Sequence, residues 1–479
     1  MSSTREHVKH LPYWLITCSV LVGLTLPTLL QDGMFMDAVL YTSVAHNLSQ
    51  GLGSFWLPIF DEYNIVGFHT FHEQPPLGFG IQSFFFRFFG SSMYVERAYV
   101  LVTLCLNALL IRVLWKEVFK HYHDLQKMSW LPVLLWITIP VCFWSYSNNM
   151  LENTLSIFIL GASILMYKTV RRKSLRVGAW VLSACFVFLG FLVKGFPAFF
   201  ITCIPFFYCI VLKKITVSRT VKITTAMLFT YLFIAVVLFL MPDAKHGLSI
   251  YIFKRAFKRI LENPSVVHRY FILIRLFTEL IPVLIFTGLA FLLSYSKKLD
   301  LIKTKHLRKA IFFLCVGLAG SLPLMLTMVQ NGFYFVPALP YFAMGFAILT
   351  APILLHYIQQ WHSHTQTYKV FKIVGIVLLT SAFIFSFAQI GKTYRDKELL
   401  QDVYAIGKAL PERSTINASS DAHNYSELMC YLMRTRMISM QGNSESQYLI
   451  AGKNSPVDSL YTPMKVNEKT TLFNLYEKK

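Results

Sequence analysis

Long apolar runs separated by short polar connections repeat along most of the chain, near 12–30, 94–115, 130–147, 150–168, 177–193, 196–212, 222–241, 271–294, 310–328, 332–356 and 370–390. A helix of about 20 apolar residues crosses roughly 30 Å of hydrocarbon, so the pattern predicts about eleven transmembrane helices. Between the first two runs the pattern changes. The segment DAVLYTSVAHNLSQ, Asp37 to Gln50, predicts a short helix ended by Gly51 and lying along the membrane surface. The apolar stretch PPLGFGIQSFFFRFFG is too short to span and is punctuated by Pro and Gly. It predicts a helix dipping into the interface, with Arg87 snorkelling to water. After Ile390 the composition turns polar, and STINAS, Ser414 to Ser419, predicts a strand.

The expected fold class is therefore an all-α polytopic membrane protein of about 11–13 transmembrane helices, with interfacial helices in the first outer loop and a small C-terminal soluble α/β domain. The expected division is 1–390 for the membrane part and 391–479 for the C-terminal domain.

Composition agrees with the pattern, since hydrophobic residues make up 55% of the chain and charged ones 14%. A soluble fold would have too little polar surface, so a water-soluble multidomain enzyme is excluded. The net charge of +21 raises the question of nucleic acid. The basic residues, however, cluster in short connections between spans: Lys168, Arg171, Arg172, Lys173 and Arg176; Lys213, Lys214, Arg219 and Lys222; Lys297, Lys298, Lys303, Lys305, Arg308 and Lys309. With a cytoplasmic N-terminus, strict alternation places all three clusters inside, which is the positive-inside pattern. Nucleic acid is not an expected partner. Seven of the eight cysteines lie in apolar runs as small packing residues, and only Cys430 sits in a polar stretch. The first run lacks a small-residue cleavage site and reads as a retained helix.

Alternation leaves the segments 31–93, 148–150, 194–195, 242–270 and the tail from 391 outside, where the chemistry is expected. Carboxylates are scarce. Asp32, Asp37, Asp61, Glu62 and Glu73 share the first outer loop, and Glu152 opens a span from the outside. Ionisable groups at such helix ends are functional candidates. Asp37 and Tyr41, at i and i+4, share one helix face. Lys254, Arg255, Lys258 and Arg259 recur among Ile250, Phe253 and Phe257 as a basic amphipathic helix, which reads as an interfacial helix or as a phosphate-facing wall. His268 and Arg269, at the mouth of the next span, are a second phosphate candidate, whereas Arg275 and Glu279 read as a structural bridge. The motif HTFHE, His69 to Glu73, lacks metalloprotease spacing. No cofactor is required, and a divalent metal held by His72, Glu73 and His268 is the open alternative to ordinary loop histidines. Tyr334 and Tyr341 read mostly as lipid-facing or interfacial packing, with an isoprenoid groove as the lesser use.

The ordered set Asp37-x-x-x-Tyr41 with Ala45 and Asn47-Leu48, then Glu73-Gln74-Pro75-Pro76-Leu77, Glu152, Leu192-Val193-Lys194-Gly195 and YFVPALPYF resembles the GT-C glycosyltransferases, in particular the aminoarabinose transferase and protein O-mannosyltransferase group. The resemblance runs from about residue 12 to 390. It implies that Asp37 is the catalytic base or orients the acceptor, and that Glu73 stands at the family's Glu-Lys-Pro-Pro-Leu motif, with Tyr41 and Gln74 beside it in positioning substrate. Glu152 is the second catalytic candidate. Two cations of the family pattern are missing, the motif Lys being Gln74 and the Arg three residues after the Asp being Leu40. Donor phosphate would then fall to Lys194, Lys245, Arg255, Arg259, His268 or Arg269.

The expected activity is transfer of a sugar from a polyprenyl-phosphate donor to a lipid, glycan or protein acceptor on the extracytoplasmic face, with inversion implied by the resemblance. Displacing a lipid phosphate leaves negative charge for cations to neutralise, while a carboxylate takes the nucleophile's proton. Two-carboxylate glycoside hydrolysis lacks a recognisable raised-pKa acid. A transporter or flippase for lipid-linked sugars, or a non-catalytic binder, is the alternative, although no inverted repeat is visible. With no organelle address readable, the expected location is a bacterial inner membrane with the site and C-terminal domain facing the periplasm.

Overall fold

In lipid every backbone polar group must be satisfied within the chain, and the apolar runs do so as helices. The computed structural model describes residues 10–61, 70–171, 177–258, 265–297, 303–360, 365–442, 446–466 and 468–479. Among these, nine helices are long and apolar enough to cross a membrane: Leu11–Leu30, Met93–Val118, Leu151–Val170, Val177–Lys194, Val217–Phe239, Phe271–Ser296, Thr304–Leu326, Leu339–Gln360 and Gln366–Phe387. The chain is a multi-pass integral membrane protein.

The two remaining expected spans are not continuous helices. The run near 130–147 is split into Trp130–Ile137 and Pro140–Tyr146. Pro140 begins the second piece, where its missing N–H costs nothing, and the adjacent Val141 N–H is accepted by Glu279 Oε2 at 2.7 Å. Glu279 also pairs with Arg275 at 2.7 Å, so the expected structural bridge doubles as a cap for the broken segment. The run near 196–212 begins as a 3-10 helix, Phe196–Cys203, and becomes α-helical only over Ile204–Ile210. Both broken segments traverse the bundle, because the contacts at its two ends require it.

At one end, Arg171 pairs with Glu117 at 3.0 Å, Lys309 Nζ donates to Val118 O at 2.9 Å, and Gln359 Nε2 donates to Asp124 Oδ2 at 3.1 Å. The basic connections therefore gather at a single end, as alternation predicts. The other end collects the first loop, the region after Phe239 and the C-terminal segment. There, the Asp32 N–H donates to Lys392 O and Asp32 O accepts the Tyr394 N–H, both at 2.8 Å, and Arg434 pairs with Glu96 at 2.7 Å.

The first loop forms the helices Met36–Ser49 and Leu77–Phe89, within a residue or two of expectation. The C-terminal segment forms helices Lys397–Ala409 and Ser426–Arg436 with a mixed sheet of β1 (Thr415–Ala418), β2 (Ser439–Gln441), β3 (Tyr448–Gly452), β4 (Tyr461–Pro463) and β5 (Phe473–Lys478) in the order β2-β1-β3-β5-β4. The expected strand STINAS is the parallel centre of β2, β1 and β3. Buried Asp402 ties helix to sheet, accepting the backbone N–H groups of Thr471, Leu472 and Phe473 at 2.6, 2.7 and 2.8 Å. Asp402→Ala leaves three N–H groups without acceptors, each worth about 1–3 kcal/mol. Residues 391–479 are expected to be cut by protease at least about tenfold faster in this variant, measured by limited proteolysis against wild type.

Candidate functional site

The helix carrying Asp37 is fixed before it begins. Asn148 Oδ1 accepts the Phe35 N–H at 2.9 Å, and the Tyr431 hydroxyl, from the C-terminal segment, accepts the Met34 N–H at 3.0 Å. Gly33 makes the turn at φ +87°, where a Cβ would lie 2.6 Å from Arg395 O. Asp37 is in the first helical turn, where the backbone dipole favours a negative charge. Farther along, Asn149 donates to Thr42 at 2.8 Å and Asn47 to Phe60 O at 2.8 Å, so both flanks of the helix are held.

One turn after Asp37, Tyr41 meets the end of Val177–Lys194. Lys194 Nζ donates to the Tyr41 hydroxyl at 3.2 Å and lies 3.1 Å from Glu152 Oε1. Its ammonium also stands 4.9 Å from the Tyr41 ring centroid. The three side chains are almost removed from solvent, at 4% (Tyr41), 1% (Glu152) and 8% (Lys194) exposure, and burial raises the Tyr41 phenol above its usual range. Asp37 is half-buried and within electrostatic reach of both Tyr41 and Glu152.

Lys194 and Glu152 open onto a cavity of about 270 Å³ at the end of the bundle opposite the basic connections. Its other polar lining includes Glu73, Gln74, Arg255, Tyr251 and Tyr334, and Phe196, Leu324 and Leu326 make apolar wall. The helix after Pro242 continues as a π-helix over Ile250–Ala256, and Tyr251 and Arg255, four residues apart and so on one face, both line the cavity. Arg255 Nη2 then lies 3.4 Å from Glu73 Oε1. Gly195 breaks the preceding helix at φ +82°, and a Cβ there would fall on the Tyr251 hydroxyl.

The structure thus brings together Tyr41, Glu73, Gln74, Glu152, Lys194 and Arg255, with Asp37 one turn behind Tyr41 and outside the cavity lining. His268 and Arg269 do not line the cavity: His268 stacks on Tyr270 at 4.9 Å, and Arg269 Nη1 donates to Leu326 O at 2.8 Å, bracing the wall. Lys245 is exposed and also stands away from it. Arg259, Glu62 and His69 lie outside the described residues. His72 Nε2 shares a 2.6 Å hydrogen bond with Thr70, and burial lowers the ring pKa to about 4, so it is neutral at pH 7. Among the described residues no group of three His, Cys, Asp or Glu side chains is arranged to hold a metal. The set His72, Glu73 and His268 is not assembled.

Two cavity-lining residues were given another reading or none in the sequence. Tyr334 lines the cavity, while its supposed companion Tyr341 is core, 2.5 Å from Ser163 Oγ. Tyr251 carried no signal except the glycine it faces.

This architecture matches solved structures along almost its whole length. ArnT from Cupriavidus metallidurans bound to undecaprenyl phosphate aligns over 96% of this chain and 97% of that one, with a TM-score of 0.62 and 12% identity. The chain has a GT-C-type fold. The apo form of the same ArnT aligns over 96% of this chain and 95% of that one, with a TM-score of 0.61 and 11% identity. The archaeal oligosaccharyltransferase AglB from Archaeoglobus fulgidus, in complex with an inhibitory peptide and a dolichol-phosphate, aligns over 92% of this chain and 69% of that one, with a TM-score of 0.52 and 11% identity. No family model matches the sequence, and neither does any curated protein sequence.

Proposed function

We propose that the chain is a glycosyltransferase that moves a sugar from a polyprenyl-phosphate donor to a lipid, glycan or protein acceptor. The observation that carries this reading is the cavity itself: Lys194 and Arg255 converge on an apolar-walled space beside the Asp37 helix, in a fold shared with an ArnT bound to undecaprenyl phosphate. A lipid phosphate needs such cations, and its isoprenoid tail needs such walls.

The acceptor's hydroxyl or amine attacks the anomeric carbon as the bond from that carbon to the phosphate oxygen breaks. The leaving phosphate keeps the electron pair, and its growing charge is met by Arg255 and Lys194. Asp37 takes the nucleophile's proton, and a single displacement inverts the configuration. Glu152, ion-paired to Lys194, acts as a positioning residue for that cation. Gln74 contributes only a neutral hydrogen bond where the family pattern has Lys. The site faces outward from a bacterial inner membrane, opposite the basic end, and residues 391–479 form an extracytoplasmic unit that holds the Asp37 helix through Tyr431.

The test uses the full chain in proteoliposomes with a panel of radiolabelled polyprenyl-phosphate sugars and a membrane extract. Label passing to an acceptor, with polyprenyl phosphate released, supports the reading. Donor crossing the bilayer with no label transferred would assign transport instead.

Gly195→Ala is expected to lower transfer at least about tenfold, chiefly through a higher KM for donor. A left-handed residue costs about 1–2 kcal/mol, and the new methyl pushes Tyr251 and its π-helix off the cavity. Steady-state kinetics over a donor series checks this, and an unchanged KM would detach Tyr251 from donor binding.

A further inference from the structure

A separate cavity of about 260 Å³ lies where the C-terminal segment meets the membrane part. Met34 and Val39, from the segment that carries Asp37, form one wall, and Val39 is on the opposite helix face from Tyr41 and the donor cavity. Glu96 and Arg97 open the span Met93–Val118 along a second wall, and helices Lys397–Ala409 and Ser426–Arg436 supply Tyr404, Tyr431 and Arg434. Ser91 and Tyr404 are exposed and open the cavity to solvent.

Most polar groups of this wall have partners. Asp32 Oδ1 accepts the Gly33 N–H at 2.7 Å, and its Oδ2 accepts the Tyr404 hydroxyl at 2.5 Å. Tyr431 is engaged by Met34 and Asp396, Ser91 by His46, and Glu96 Oε2 accepts from Arg434 Nη2 at 2.7 Å. The two guanidinium groups are the exception. Arg97 is 5% exposed and makes one long hydrogen bond, from Nη2 to Gly33 O at 3.3 Å, while its Nε and Nη1 have no acceptor among the described residues. Arg434 is 6% exposed, and its Nε also has none. Buried N–H groups are nearly always satisfied, so unmatched donors of two arginines around one cavity call for ligand oxygens.

The other nearly sealed cations meet carboxylates, Lys194 at 3.1 Å and Arg434 at 2.7 Å, whereas among the described residues Arg97 forms no ion pair. Asp32 and Glu96 lie within electrostatic reach of Arg97 and offset its charge without occupying its donors. Two arginines against two carboxylates leave the wall with no net charge. Such a wall admits a singly charged group more readily than a doubly charged one.

We infer that this cavity is a binding site for a singly charged oxyanion, a carboxylate or a phosphodiester, held by Arg97 and Arg434. Arginine suits the task because its planar guanidinium carries donors on several sides and is weakly hydrated. The cavity is nearly as large as the donor cavity, at about 270 Å³, and has room for the sugar or glycerol that bears the charged group.

The test is thermal stabilisation of the full-length protein in neutral detergent and phosphate-free buffer, with glucuronate, diethyl phosphate, glucose and sulfate as probes at millimolar concentration. Glucuronate and diethyl phosphate are expected to raise the unfolding temperature, and glucose to leave it unchanged. Arg97→Gln is expected to weaken both monoanions about tenfold or more. A second pair of variants keeps Arg97 in place. Met93 lies in the wall one turn before Arg97, so M93E sets a tethered carboxylate beside the guanidinium, and M93Q sets a neutral side chain of the same size there. M93E is expected to lose its response to both monoanions, and M93Q to respond as wild type does. Loss of response in R255Q with retention in R97Q would move the probes to the donor cavity and overturn the site. Equal responses in M93E and M93Q, an equal response to glucose, or no response to any probe would also overturn it, leaving a cavity that holds water alone. Tighter binding of sulfate than of either monoanion would overturn the single charge. Glucuronate binding in nanodiscs of phosphatidylglycerol and of phosphatidylcholine separates the sources. Displacement by phosphatidylglycerol assigns the site to a lipid phosphodiester, and undiminished binding assigns it to a soluble or glycan-borne carboxylate. None of these readouts involves sugar transfer, so the inference stands or falls apart from the proposed activity.

Discussion

Asp37→Asn is expected to lower sugar transfer by about 10²–10⁴-fold while the protein stays folded and still binds polyprenyl phosphate. The substitution keeps the shape of the side chain and removes its ability to accept a proton. The fold has little reason to respond. Asp37 is half-buried in the first turn of its helix, and losing a charge there forfeits about 0.3–1 kcal/mol of dipole interaction. Backbone contacts from Asn148 and Tyr431 hold the helix start independently of the carboxylate. Donor binding has equally little reason to respond, because the cations of the cavity sit on other segments and Asp37 does not line it. Single-turnover transfer, thermal unfolding and lipid binding are therefore measured on the same preparation. Loss of transfer with the other two intact is the signature of a base. Retention of more than about a tenth of the activity would place the proton acceptor elsewhere.

Much of this architecture can be read from the sequence, and the parts that cannot share a physical cause. Periodicity and charge carry the membrane frame, because lipid punishes any other arrangement: the basic clusters do gather at one end, joined by contacts such as Arg171 to Glu117 and Lys309 to Val118. The two broken spans look continuous in the sequence, since an apolar run has the same composition whether its backbone is α-helical, 3-10 or interrupted. Pro140, at the start of Pro140–Tyr146, and Pro205, at the start of Ile204–Ile210, mark where the helical pieces begin. The Asp37 helix was legible to within one residue, as its caps and Gly51 are local. Arg255 could be placed on a basic face but not in register, because the π-helix that aims it at Glu73 shifts that face by a fraction of a turn. Tyr251 against Gly195 and Tyr431 against Met34 are contacts between segments far apart in the chain, and no local pattern encodes them. The histidines show the converse: HTFHE is dense in sequence, yet His72 turns to Thr70, and His268, far along the chain, stacks on Tyr270.

Lys194 and Glu152 provide the sharpest separation of stability from chemistry. Their ion pair is nearly sealed, with side-chain exposures of 7% and 2%. Removing one member of such a pair leaves an uncompensated buried charge, so Lys194→Met and Glu152→Leu should each destabilise the protein by about 3–5 kcal/mol. Replacing both by apolar groups removes the stranded charge as well, and the double variant is expected to recover most of that loss. Transfer should not recover with it. If Lys194 meets the charge that develops on the leaving phosphate, its removal costs about 10²–10³-fold whether or not Glu152 is present. Glu152→Leu alone keeps the cation but frees it to swing toward Tyr41, whose hydroxyl it already meets at 3.2 Å. That variant should lose less transfer than Lys194→Met despite similar instability. Unfolding curves and initial rates for all four proteins give a thermodynamic and a kinetic cycle on the same residues. Recovery of both stability and transfer in the double variant would make the pair purely structural and move the donor's countercharge to Arg255 alone.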